Sequence, residues 1–547
     1  MIASEAAMFP RLEASELEQL RRLAQTRPFA AGDLLFAAGQ AEIDFHVVVA
    51  GQVEVINPVD GDRVVARHGP GEFVGDIDLL TGRPVIVLAR SRGDSETLVV
   101  PHAEFRGLLN RLPSLGEKLM AAFTLRREIL AESGALGLRV VGSSQCPDTN
   151  LVREFLHKNF VPFVWYDPET PAGQQVFAEL GAPRKTPAIQ CGDGQVLLNP
   201  SLRDLAKSAG VWKHCPEQEV DLTIVGAGPA GITTAVYAAS EGLRTLLLDR
   251  LGPGGQAGGS SRIENFIGFP AGLSGADLAM RGVLQLLKFG AQIVTPVSVD
   301  RILPADSPAE RHVLELDCGQ KIHSRVVLLA AGVRWRRLEA PGASRFERTG
   351  VFYACTTVEA HLFDKQDVAV VGAGNSAGQA VMFLAECCRT RTVHMLVRRT
   401  LGPGMSSYLA QRIRGAANVV VHEYTEIAEV RGGDHVETIV AEHNQTHERS
   451  DMPVGAVFVF IGAEPACDWL PAQLARDGLG YVLTGVDVVK AGRWLRTDRD
   501  PCPLETSLPG ILAAGDIRAG STKRVGFAVG DGSLAVTCAH RLLSLGS

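Results

Sequence analysis

Residues 221–249, DLTIVGAGPAGITTAVYAASEGLRTLLLD, restrict the fold more than any other stretch of the chain. Residues 222–225 have the character of a buried strand, and the alanine-rich residues 232–241 read as a helix. Between them Gly226, Gly228 and Gly231 stand at G-x-G-x-x-G spacing, with Pro229 and Ala230 completing the turn. Gly226 permits the tight turn, and Gly228 lets backbone approach a pyrophosphate. Gly231 lets the helix pack close to the strand, with its N-terminus facing the phosphates. A second apolar run, 245–248, ends on Asp249, where a carboxylate can accept from a ribose hydroxyl. Strand, glycine turn, helix and terminal acid together predict a dinucleotide-binding unit.

A second such unit starts at Val368, VAVVGAGNSAGQAVMFLAE, with Gly372, Gly374, Asn375, Ser376 and Ala377 in its turn. Its next strand, 393–397, ends in Arg398 and Arg399 rather than in an acid. Two guanidiniums there suit a 2′-phosphate and favour NADPH over NADH; the alternative is a pair of solvated surface arginines. Two units imply one resident flavin, FAD, and one exchanging nicotinamide. The loop GPGGQAGGSSRIENFIGFP, 252–270, can lay backbone amides against a flat cofactor, those of Gly255 and Gln256 among them. Gly515 and Asp516 follow the run GILAA and suit a ribityl hydroxyl or pyrophosphate contact.

Composition excludes several classes. With 547 residues the chain should hold about three or four domains. A net charge of −7 draws it to neither nucleic acid nor an anionic membrane. No apolar run approaches the ~20 residues of a membrane helix, and the N-terminus lacks the apolar centre of a signal peptide. Ten cysteines contain no C-x-x-C, which argues against a metal site and for reduced thiols in the cytoplasm.

Residues 219–547 resemble bacterial, low-molecular-weight thioredoxin reductase over nearly their full length. The matching motifs are GAGPAG, GGQ at 254–256, IENFIGFP with Asn265, the AAG turn with Ala331 and Gly332, GAGNSA, VRR, FVFIGAEP and AAGDI. The resemblance implies an FAD domain in two pieces, 219–335 and 453–547, with an NADPH domain, 336–452, inserted between them. It also implies a homodimer. Where that family carries C-A-T-C-D, this chain has Cys355-Thr356-Thr357-Val358-Glu359. The second cysteine is a valine, so no disulfide can form within the motif. Cys355 is a candidate redox thiol or a small buried residue; Glu359 is a candidate proton donor or a solvated acid.

Two further resemblances lie ahead of this region. Over 1–132, short Gly-bounded strands read as a β-roll with helices, and Ser15 with Glu18 reads as a capping box before the first helix. PGEFVGDIDLL and GRPVIVLA resemble the cyclic-nucleotide-binding domain, which places Gly75 and Asp76 at its ribose-binding Gly-Glu and Arg83 at its phosphate arginine. Asp76 is one methylene shorter than Glu, and Pro84 stands where a hydroxyl donor would. Over 137–213 the element order resembles a glutaredoxin. Cys146 falls at its nucleophile, at a helix N-terminus, Thr149 at its second cysteine and Pro187 at its cis-proline. Cys146 is thus either a redox thiol or part of a docking surface.

The expected protein is a multidomain FAD-dependent NADPH oxidoreductase built from a cyclic-nucleotide-binding-like β-roll, a thioredoxin-like α/β unit and two Rossmann-like domains. Its electron acceptor, a protein thiol or disulfide or a small molecule, stays open, as does cyclic-nucleotide binding. The rival is a flavin-bound regulatory sensor with little turnover.

Overall fold

The computed structural model describes residues 7–58, 62–133, 137–181, 187–192, 194–216, 219–307, 310–388 and 391–545. Helix α1 (Ala14–Arg21) leads into eight strands: β1 (Gln25–Phe29), β2 (Leu34–Phe36), β3 (Phe45–Ala50), β4 (Val53–Asn57), β5 (Arg63–His68), β6 (Phe73–Val74), β7 (Leu88–Ser91) and β8 (Ser95–Val100). They form two four-stranded sheets, ordered β1-β8-β3-β6 and β2-β7-β4-β5. Helix α2 (Asp78–Thr81) follows β6, and α3 (His102–Arg111) and α4 (Pro113–Ser133) close the module. Phe45, Phe73, Phe105 and Phe123 are fully buried and touch as neighbouring rings, tying α3 and α4 to the sheets. The capping box falls two residues earlier than Ser15 and Glu18 suggested. Glu13 is the N-cap, and its N–H donates to Glu16 at 2.7 Å. Buried Leu12, whose N–H donates to the Gly71 carbonyl at 2.7 Å, fixes the chain so that the helix starts at Ala14.

Two histidines make this module acid-labile. Burial holds His46 at about 4, with Arg27 lowering it further against Asp44, and holds His68 at about 3 with help from the Arg126 charge. Both side chains fold neutral, whereas in the unfolded chain they take up protons near pH 6.5. Their contribution is full above pH 6.5 and is lost as pH falls toward the folded values, on the order of 5 kcal/mol together by pH 4.5. Circular dichroism should therefore show a β-roll transition moving to lower temperature between pH 6.5 and 4.5, and less so in His46→Gln.

The middle module orders its strands β10-β9-β11-β12, from β9 (Leu138–Val141), β10 (Phe163–Tyr166), β11 (Ala188–Gln190) and β12 (Val196–Leu198). β9 and β10 are parallel, and β11 runs antiparallel to both neighbours. Around them lie α5 (Pro147–Lys158), α6 (Pro171–Leu180) and α7 (Leu202–Ser208). Thr170 and Ser201 cap α6 and α7 by accepting from the N–H three residues on. The peptide bond before Pro187, the expected cis bond, lies outside the described residues.

Beyond residue 219 two larger sheets form, the first mixed, with Val299–Leu303 and His312–Leu316 antiparallel at one side, and the second parallel. The first carries β13 (Val220–Val225) between β14 (Thr245–Leu248) and the strand Lys321–Leu329, which also pairs with Ile511–Ala513. β13 is buried throughout, as expected of a parallel strand covered on both faces. Helix α8 (Pro229–Ser240) follows it, and the helix Val525–Ser544 packs on α8 where Gly532 approaches Ala230. The second sheet orders Val351–Phe352, Ala456–Val459, Val368–Val371, Val393–Val397 and Val419–Glu423, all parallel. Ala456–Val459 was expected in the piece starting at 453. It pairs instead with Val368–Val371, because its four buried apolar residues complete the second core, so the chain leaves this unit only after 459. One apolar cluster runs from the β-roll into the first unit, through helix Gly275–Phe289 against α2 and α3. Among the described residues no helix is long and apolar enough to cross a membrane.

Candidate functional site

The first cleft forms at the N-terminus of α8. Gly226 adopts φ 111°, and a methyl on it would sit 2.4 Å from the Ala330 carbonyl oxygen. One on Gly231 would sit 1.9 Å from the Gly226 carbonyl. Strand, turn and helix are thus as close as backbone allows. Gly228 is the N-cap of α8 and offers no side-chain cap to the first-turn amides. Gly255 approaches Gly228, Gly515 approaches Ala230, and the Gln256 side chain donates to the Val333 carbonyl at 2.8 Å. The structure thereby gathers Gly226, Gly228, Pro229, Ala230 and Gly231 with Gly255 and Gln256, Ala331 and Gly332, and Gly515 and Asp516. Gly515 is pinned by Asp531, which accepts its N–H at 3.0 Å and holds Arg518 at 3.1 Å. Burial pushes the Asp516 carboxyl up from its ordinary value.

Asp249, expected at a ribose hydroxyl, is engaged with backbone. Its Oδ2 accepts the Ala227 N–H at 2.8 Å, and its Oδ1 accepts those of Leu251 and Gly252 at 2.9 Å. The carboxylate staples the glycine turn to the following loop, which leaves about one acceptor position for a sugar. Asn265 is exposed, on a loop whose Glu264 reaches the second unit. There Arg412 and Tyr408, on helix Ser407–Gly415, donate to it at 3.2 and 3.1 Å.

The second cleft repeats the first with differences. Gly372 has φ 138°, and a methyl on it would meet the Phe460 carbonyl at 2.4 Å. Gly374 caps helix Asn375–Cys387 without a side-chain bond. Asn375 turns away to accept the Ser406 N–H at 2.7 Å, Ser376 is exposed and Ala377 is buried. Arg398 and Arg399 are exposed and line an open basin with Tyr424, Glu426 and Asn444.

The thiols are arranged differently. Cys355 is buried beside Ser260 of the first-unit loop, with which it forms a backbone bridge. Burial, then the Glu359 charge and Cys387, push its thiol well above the ordinary range, so it is not a thiolate at neutral pH. Glu359 accepts the Thr356 N–H at 2.8 Å and the Thr356 hydroxyl, capping helix Thr357–Leu362. The side chain of Val358 lies outside the described residues. Cys146 is the half-buried N-cap of α5. Thr149 is buried against Gly142 with its hydroxyl unpaired, so nothing reactive stands at the expected second cysteine.

Sequence reasoning missed the role of α5. At its N-terminal end Asn150 donates to the Arg348 carbonyl at 2.6 Å, and Arg153, stacked on Trp165, lies within electrostatic reach of Glu359. At the other end Lys158 donates to the Gly255 carbonyl at 3.2 Å. Asn159 donates to the Leu251 carbonyl at 2.8 Å and accepts from the Thr295 hydroxyl at 2.7 Å. One helix touches both nucleotide-type units, and no local pattern announces a contact between residues 92 apart.

In the β-roll, Gly75 has φ 122°, and its carbonyl is taken by the buried Arg126. Asp76 Oδ1 accepts the Asp78 N–H at 2.9 Å at the start of α2. Arg83 donates to the Asn159 carbonyl at 2.6 Å.

Residues 220–532 match the pyridine nucleotide-disulphide oxidoreductase family, and residues 26–112 match the cyclic nucleotide-binding domain. Over 324 residues the chain is 32% identical to thioredoxin reductase of Treponema pallidum (strain Nichols), covering 59% of this chain and 97% of that one. Over 327 residues it is 30% identical to the 34.2 kDa protein in the rubredoxin operon of Clostridium pasteurianum, covering 60% of this chain and 98% of that one. The crystal structure of Lactococcus lactis thioredoxin reductase in its FR conformation gives a TM-score of 0.53 at 25% identity, over 60% of this chain and 100% of that chain.

Proposed function

From the premise that the chain belongs to the pyridine nucleotide-disulphide oxidoreductase family, we propose that it is an FAD-dependent NADPH oxidoreductase serving a small acceptor, without a dithiol relay. What carries this reading is the pair of glycine turns, each opening a helix whose N-terminus has no side-chain cap. Both fit a pyrophosphate, since at the N-caps Gly228 and Gly374 an added methyl would meet no protein atom nearer than 3.8 Å, which leaves the space before each helix N-terminus open to an anion. The turn 226–231 with Gly255, Gln256, Gly332 and Asp516 would hold FAD. The turn 372–377 with Arg398 and Arg399 would hold NADPH. Bound there, FAD would supply two-electron redox chemistry, with the NADPH held by the second turn as the hydride source.

The protein's own groups favour an acceptor other than a thiol. Cys355 is protonated and enclosed, and Glu359 is committed to a helix cap. The middle module, glutaredoxin-like in its order of elements, serves as a docking body rather than an electron carrier. The β-roll is a regulatory domain of the cyclic-nucleotide type. Anaerobic mixing with NADPH should bleach the purified yellow protein, and Cys355→Ser with Cys146→Ser should change steady-state NADPH turnover with a small acceptor such as a quinone by less than about two-fold. A loss of that turnover in the double variant, with bleaching intact, would restore the thiol relay. A flavin left oxidised in the unaltered protein would favour the second reading, a sensor with little turnover, to which the bridging of both units by α5 also lends itself.

A further inference from the structure

Arg83 contacts the main chain where α5 ends. Asn159 is the C-cap of that helix, where carbonyls lack helical partners and the helix dipole is negative. A guanidinium 2.6 Å from the Asn159 carbonyl therefore sits on an anion-like group built from the protein itself. The surrounding loop is covered by the middle module and its outgoing chain. Lys213 donates to the Thr81 carbonyl. A methyl on Gly210 would lie 2.0 Å from the Pro84 ring, so backbone rests directly on the loop. Arg83, Arg106 and Glu42 all act on the Lys213 charge, and His102 is influenced by Glu42, Arg106 and Lys213.

From Asn159 the contacts continue inward. Its side chain holds the Leu251 carbonyl and the Thr295 hydroxyl; the Leu251 N–H is held by Asp249, which also holds Ala227 in the glycine turn. Asn159, Leu251 and Asp249 thus link Arg83 of the β-roll to Ala227 in the cleft at the N-terminus of α8.

We propose that the phosphodiester anion of a cyclic nucleotide competes with the Asn159 carbonyl for Arg83, so that filling the β-roll releases α5 from loop 249–256 and alters flavin reduction. This rests on the reading of the β-roll and of the cleft given above. A full anion is the stronger partner for a guanidinium, since charge-assisted hydrogen bonds are roughly twice as strong as neutral ones. Pro84 contributes no hydroxyl donor, which concentrates phosphate binding on Arg83. Linkage is reciprocal: if nucleotide binding frees α5, loosening α5 raises nucleotide affinity, at most by the same coupling factor.

The test uses the full-length holoprotein with 3′,5′-cAMP and cGMP, and with 5′-AMP and inorganic phosphate as controls. Calorimetry reads binding, and hydrogen exchange reads residues 147–159 and 249–256. A cyclic nucleotide should bind and raise exchange in both segments. Arg83→Ala should abolish binding while showing the raised exchange without ligand. Asn159→Ala and the gentler Thr295→Val leave Arg83 in place, and should raise cyclic-nucleotide affinity, by about 5-fold or more for the first. Unchanged exchange on binding, unchanged affinity in both variants, no binding in any form, or equal binding of inorganic phosphate would each overturn the proposal. None of these readouts uses NADPH. Nucleotide-driven exchange without bleaching would sink the reductase reading alone, and bleaching without nucleotide effects would sink the linkage alone.

Discussion

Replacing Arg398 and Arg399 together with alanine should raise the KM for NADPH by about 100-fold while moving that for NADH only a few-fold. Both side chains leave the end of Val393–Val397 into an open basin, where they are exposed and have partners to gain. A charge-assisted bond to a phosphate is worth about 1.5–3 kcal/mol, and solvent exposure holds each to the lower end. Two such losses give about two factors of ten. NADH has no 2′-phosphate and should be nearly indifferent. Glu426, in the same basin, opposes an incoming phosphate, so Glu426→Gln should shift the preference further toward NADPH. Steady-state rates with both nucleotides check this. Equal losses with NADH would show that the arginines support the fold or the adenosine instead.

The clefts were legible in the sequence because their constraints are local. A glycine whose added methyl would lie 1.9 or 2.4 Å from a carbonyl oxygen leaves its mark within a few positions of the strand it follows. What escaped notice involves contacts between distant residues. Asn159 reads as a helix end, and only the fold shows it joining Arg83 to Leu251 and Thr295. Glu264 lies in a recognisable motif, yet its bonds to Arg412 and Tyr408 depend on how two units meet. Asp249 was read as a ligand group, whereas three backbone N–H groups already use most of its capacity. The exit from the second unit was placed too early because Ala456–Val459 is an apolar run that either sheet could accept, and pairing alone assigns it. For Cys355 the sequence left a redox thiol and a buried residue open, and enclosure favours the second.

Gly228→Ala and Gly231→Ala should separate cofactor binding from folding within a single turn. At Gly231 the added methyl would lie 1.9 Å from the Gly226 carbonyl, with the Ile224 side chain at 3.2 Å, so helix and strand must part. Forcing a methyl into such packing costs typically 1–3 kcal/mol or more, and each kcal/mol lowers Tm by roughly 2–4 °C in a unit of this size. The apoprotein should melt several degrees lower and take up FAD poorly. At Gly228, φ −76° and ψ −178° suit any residue, and the nearest atom to the new methyl is the Gly255 Cα at 3.8 Å. The apoprotein should melt where the unaltered chain does. The methyl would nonetheless stand at the mouth of the uncapped turn, where close approach of a pyrophosphate to backbone allows no carbon. FAD affinity should fall by about 100-fold, a loss of about 2.7 kcal/mol. Thermal melts of the apoproteins and flavin reconstitution titrations measure the two effects separately. If Gly228→Ala retained FAD as tightly as the unaltered chain, the N-terminus of α8 would not be where the flavin pyrophosphate lies. The assignment of the first cleft would then fall, even with the fold intact.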